Sequence, residues 1–109
     1  MATITEDFVS FETAKLLKEK NCPDFGYSCI CDSEGNKAQT QSIIMKWLRE
    51  VYNIFIEISV SIDLNGKYHY SYSILNKECK YVRKGYTDFN WNYSQACETA
   101  IKYCLENLI

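Results

Sequence analysis

The sequence has one proline, four glycines and one histidine among 109 residues, and no apolar run approaching the roughly 18 residues that a membrane span needs. With 47% hydrophobic residues, that scarcity of turn-formers excludes collagen-like, low-complexity and disordered chains. Positive charge is also not in excess. Twelve Lys+Arg stand against fourteen Asp+Glu, a net charge of −2, so the molecule lacks the general field that draws proteins to nucleic acids or anionic membranes. No phosphate-binding loop, nucleophile elbow or paired-acid motif occurs. The segment Met1 to Asp7 carries acids where a signal peptide has a basic region, and no apolar run follows it. These absences point to a cytoplasmic protein with no membrane partner, in which the six cysteines are reduced thiols.

What is present is a chain of one-domain size, 1–109, able to bury roughly 65% of the surface its unfolded form exposes, with no need of a metal or disulfide staple. Residues 8–20 read as a helix, because Ser10 can cap it and Phe11, Ala14 and Leu17 share a face. Asn21, Cys22 and Pro23 end it. A short strand follows at 27–31, bounded by the turn-forming Asp32-Ser33-Glu34-Gly35-Asn36. Thr40 caps a second helix whose Ile43, Ile44, Trp47, Leu48 and Val51 make one broad apolar face, and Asn53 closes it.

From Ile54 the period changes to two. Ile54, Ile56, Ile58, Val60 and Ile62 alternate with polar positions, and Tyr68, Tyr70, Tyr72 and Ile74 do the same after Asn65-Gly66. A two-residue turn would set Ile62 opposite His69 and mix the faces. A three-residue loop, Leu64-Asn65-Gly66, pairs Asp63 with Lys67 and sets Tyr68, Tyr70, Tyr72 and Ile74 opposite Ile62, Val60, Ile58 and Ile56, with Gly66 in the left-handed region. This register predicts that the tyrosines are core and that Glu57, Ser59, Ser61, His69, Ser71 and Ser73 form a polar outer face. After a turn at Asn76-Lys77, a third antiparallel strand is expected over about 79–86. Asn92, with Gln95 three residues on, then opens a last helix carrying a stripe of Ala96, Cys97, Ala100, Ile101, Cys104, Leu105 and Leu108.

Helical stripes and an isoleucine-rich sheet face are complementary, so the expected fold is α+β. Three helices pack on one face of a mainly antiparallel three- to four-stranded sheet, in the order α-β-α-β-β-β-α.

Three stretches carry a resemblance: Phe8 to Lys20, Lys46 to Ile58, and Tyr93-Ser94-Gln95-Ala96-Cys97-Glu98-Thr99-Ala100-Ile101. Together they resemble a group of small uncharacterised proteins carried by phages and prophages of Bacteroides-type gut bacteria. The shared positions are mostly apolar residues and caps, so the resemblance implies a fold and brings no activity, cofactor or site. Residues 21–39, where such proteins vary most, hold three of the cysteines.

Cys22, Cys29 and Cys31 form the only compact metal-like cluster. They are one ligand short of a zinc site and lack its pair spacing, so small core residues are the favoured reading and no metal or cofactor is expected. Cys97 and Cys104 fall on the buried stripe of the last helix, and Cys79 could lie on either sheet face. His69 lies on the polar face beside Ser61 and Ser71, with Asp63 and Glu57 on the same face. A solvent-exposed histidine is favoured over a catalytic base, because no nucleophile motif accompanies it. The candidate binding residues are Lys77, Lys80, Arg83, Lys84, Tyr86 and Trp91, a basic and aromatic stretch also holding Tyr81 and Phe89. Cations beside stacking aromatics are what single-stranded nucleic-acid binders use. Lys84-Gly85-Tyr86 matches the start of the RNA-recognition strand motif, but Thr87 and Asp88 depart from it, and the net charge disfavours nucleic acid. The expected function is therefore a small non-catalytic binding module, a phage- or prophage-derived accessory protein acting through protein contacts. The alternative is a single-stranded nucleic-acid binder using 77–91.

Overall fold

The computed structural model describes residues 6–85 and 92–109. The chain has an α+β fold with the element order α1 (Phe11–Glu19), β1 (Cys29–Cys31), β2 (Lys37–Gln39), α2 (Gln41–Tyr52), β3 (Phe55–Ile62), β4 (Tyr68–Leu75), β5 (Tyr81–Gly85) and α3 (Tyr93–Asn107). The strands form two antiparallel sheets, β1-β2 and β3-β4-β5. The second strand of the small sheet, Lys-Ala-Gln, is too short to show any period in the sequence, and the strand expected over 27–31 shortens to its last three residues.

Each helix starts where a side chain can satisfy its free amides. Ser10 Oγ accepts from Thr13 N at 3.1 Å, and Thr40 Oγ1 from Ile43 N at 3.4 Å. Asn92 and Gln95 complete a reciprocal capping box, with both bonds at 2.8 Å. Asparagine ends the first two helices in the left-handed region: Asn21 has φ 60° and Asn53 φ 56°. At the end of α1, the Cys22 and Asn21 amides donate back to Leu17 O and Lys18 O, the Schellman arrangement.

Three hairpin loops use one construction, in Asp32–Asn36, Asp63–Lys67 and Asn76–Lys80. In each, the first side chain accepts from the amides two and four residues on, and the fourth residue has positive φ. Gly35 and Gly66 take that position in the first two loops, but Cys79 takes it in the third, at φ 60°. The loop therefore runs over 77–79 rather than turning at Asn76-Lys77, Cys79 belongs to neither sheet face, and β5 starts at Tyr81. A Cβ in the left-handed region costs on the order of 1 kcal/mol. Cys79→Gly is expected to raise stability by about 0.5 to 1 kcal/mol, read as a higher urea midpoint with unchanged slope.

The β3–β4 register is the one the face argument requires: Ile62 pairs with Tyr68, Val60 with Tyr70, Ile58 with Tyr72 and Ile56 with Ile74. α3 lies over β3 and β4, α2 packs on α3 and β3, and α1 packs on α3 and β2. The core is Ile44, Trp47 and Leu48 of α2, Tyr72 and Ile74 of β4, and Ala100, Ile101, Cys104 and Leu105 of α3, closed by Ala14 and Leu17 of α1. Two buried glutamines pin the connections. Gln39 accepts from Phe25 N and donates to Pro23 O, while Gln41 donates to Ser94 O at 2.9 Å. Glu98 of α3 accepts from Ser10 N and from the buried Thr13 hydroxyl at 2.6 Å, placing a carboxylate at the positive end of α1.

The expectation that every tyrosine on the isoleucine face is core needs correction. Tyr72 is 3% exposed, Tyr70 is half-buried, and Tyr68 is 56% exposed. The helices cover one half of the hairpin and leave the other bare.

Candidate functional site

The bare half is the distinctive surface of the molecule. On the face that continues from the core, Val60 is 57% exposed, Ile62 61% and Tyr68 56%, and Leu64 at the loop tip is fully exposed. Tyr70 marks the boundary with the core, its ring meeting Tyr93 at the start of α3 edge-on, with centroids 6.1 Å apart. A two-stranded ladder with fixed register holds these side chains in place.

The opposite face of the same hairpin end is polar and locked. His69 Nε2 lies 2.8 Å from Asp63 Oδ2, while Asp63 Oδ1 accepts from the Asn65 and Lys67 amides. The His69 side chain is only 15% exposed, which corrects the expectation of a solvent-exposed histidine. The His69 contact first, and the Lys67 amide second, hold the Asp63 carboxyl below its ordinary range. A group depressed in the folded state stabilises above its unfolded pKa and loses that contribution as pH falls through the folded one. Acid titration below about pH 4 is therefore expected to loosen this loop before the core, seen as earlier amide exchange at Asn65 and Lys67; simultaneous loss of both regions would contradict this.

Two of the candidate cations, Arg83 and Lys84, do not share a surface. Arg83 pairs with Ile74 on the helix-covered face, where it sits 4.9 Å over the Tyr103 ring and hydrogen-bonds to Tyr72. Lys84 pairs with Ser73 on the opposite face and lies 4.2 Å over the Tyr81 ring. Lys77 and Lys80 are exposed in the 76–80 loop. Tyr86 and Trp91, with Phe89, lie outside the described residues.

Among the described residues, no three His, Cys, Asp or Glu side chains converge as metal ligands. Cys22 is half-buried, Cys29 is half-buried and Cys31 is exposed on the small sheet. Burial pushes the Cys22 and Cys97 thiols up to about 11 and the Cys104 thiol to about 12, so none of these three presents a nucleophilic thiolate near neutral pH. A cleft of about 380 Å³ beside α2 reaches Cys97, with Asp7, Gln41, Arg49 and Tyr93 around it, but its only thiol is among those suppressed. Iodoacetamide on the native protein is expected to label Cys31 and Cys79 well before Cys97 and Cys104, followed residue by residue by mass spectrometry. Early labelling of Cys97 would reveal a reactive cleft.

No helix of the described residues is long and apolar enough to cross a membrane. No family model matches the chain, and neither the curated proteins nor the solved structures contain a match.

Proposed function

We propose that this chain is a non-catalytic binding module that acts through protein contacts, an accessory protein of the kind carried by phages and prophages, working in the cytoplasm. The observation that carries the reading is the continuation of the hairpin's apolar face beyond the helices, through Val60, Ile62 and Tyr68 to Leu64. Apolar and tyrosine side chains on a rigid scaffold, next to a polar face, have the composition of a protein-contact surface. The burial-raised thiols of Cys22, Cys97 and Cys104 support the non-catalytic half of the reading. Arg83 and Lys84 take opposite faces of β5, which weighs against a single nucleic-acid platform built on both.

The test is affinity capture from producing cells with three tagged chains: wild type, Ile62→Asp/Tyr68→Lys, and Glu106→Lys on an exposed helix position. The double variant replaces exposed groups and is expected to keep the fold. Wild type and Glu106→Lys should retain a protein, the same chain or another, that the double variant loses. Equal recovery by all three would contradict the reading.

A further inference from the structure

The three-stranded sheet has two edges of different construction. β5 is short, carries Arg83 and Lys84, and breaks register between Ile74 and Leu75 of its neighbour, all devices that discourage further pairing. β3 has none of them. Its sequence Phe-Ile-Glu-Ile-Ser-Val-Ser-Ile holds a single charge and no proline, glycine or lysine, and among the described residues it pairs on one side only. The Asp63 N to Lys67 O bond that closes the hairpin sets the alternation. The backbone groups of Phe55, Glu57, Ser59 and Ser61 turn toward β4, and those of Ile56, Ile58, Val60 and Ile62 turn outward.

We propose that the β3 edge pairs antiparallel with β3 of a second copy of this chain, about a two-fold axis through Ser59. This deepens the protein-contact reading above by naming the partner, and it rests on that reading. The register follows from two demands, that pairing keep apolar beside apolar and that it use the whole outward edge of the strand. An axis at Glu57 sets Glu57 against itself, and an axis at Val60 sets Glu57 against Asp63; like charges oppose both. An axis at Ile58 calls on the Ile54 amide, which already donates to Leu48 O at 3.1 Å. The axis at Ser59 pairs Ile56 with Ile62 and Ile58 with Val60, faces Glu57 with Ser61, and uses every outward group of the strand.

The same symmetry accounts for the part of the exposed patch that lies on β3. Val60 and Ile62 of one copy come beside Ile58 and Ile56 of the second, on the half of the strand that the second copy's helices cover. Each chain's bare end is thus offered to its partner's covered end, an isologous contact that closes on itself.

Sedimentation velocity over a wide concentration series should show the chain moving from 12.7 kDa to twice that mass. Val60→Pro deletes one outward amide and leaves the β4 ladder bonds in place; it should sediment as a monomer with wild-type circular dichroism. Should that variant fail to fold, a crosslink decides. On a two-fold at a non-hydrogen-bonded pair, the two Cα atoms lie about 4.5 Å apart, within disulfide reach. In a Cys31→Ser/Cys79→Ser background under a mild oxidant, Ser59→Cys should give a covalent dimer and Ser61→Cys should not. A wild type monomeric at every concentration, or equal crosslinking at both positions, overturns the proposal. A monomer that still captures a different protein through Ile62 and Tyr68 would overturn the self-pairing and leave the binding-module reading standing.

Discussion

Ile101→Ala is expected to destabilise the domain by about 3 to 4 kcal/mol. Ile101 is fully buried on α3, a helix that packs on both other helices and on the large sheet. Truncation removes three carbons from a site walled by separate elements, so no single neighbour can move in to fill the space. The loss combines a transfer cost with a cavity cost, and the second grows when the surroundings cannot collapse. Since domains of this size are stable by about 5 to 15 kcal/mol, the urea midpoint should fall by at least about a fifth with little change in slope. A loss under about 1 kcal/mol would mean that α3 is not the central packing element.

Gly85→Ala is expected to cost about 2 to 3 kcal/mol, although alanine ordinarily suits a strand better than glycine. Gly85 lies opposite Tyr72 in the β4–β5 ladder, and its backbone is not in the positive-φ region, so conformation alone would favour the change. The sign is decided by contact. A Cβ at Gly85 would overlap the Tyr72 ring. The ring is 3% exposed and sits in the core cluster, so it cannot swing away as a flexible side chain would. The glycine leaves the space that the tyrosine fills, an aromatic pairing across the strands. A double-mutant cycle with Tyr72→Ala should show strong coupling, the alanine at 85 becoming nearly neutral once the ring is gone. Additive losses would contradict this account.

Much of this fold was legible in the sequence, because its signals are local. Ser10, Thr40 and Asn92 are caps whose chemistry acts within three residues. The β3–β4 register could be decided because only a three-residue loop keeps tyrosine beside isoleucine and places Gly66 where a left-handed residue is needed. Three features were not legible. β2, at three residues, is too short for a strand's alternation to stand out from its surroundings. Cys79 occupies a left-handed position that glycine takes in the two sister loops, and nothing in the residue type announces it. Tyr68, Val60 and Ile62 carry the same alternation as buried Tyr72 and Ile74, since period records which face a residue shares and not whether a helix reaches that far along it. The candidate site therefore lay inside what reads as core.

The central claim is that the uncovered end of the hairpin is the working surface. A photoreactive side chain placed at position 62, with a second protein carrying it at position 106, tests this directly in producing cells. Illumination should give protein adducts from position 62 and none from position 106, with an adduct of twice the chain's mass marking the second copy. Adducts absent from position 62, or equal at both positions, would contradict the account.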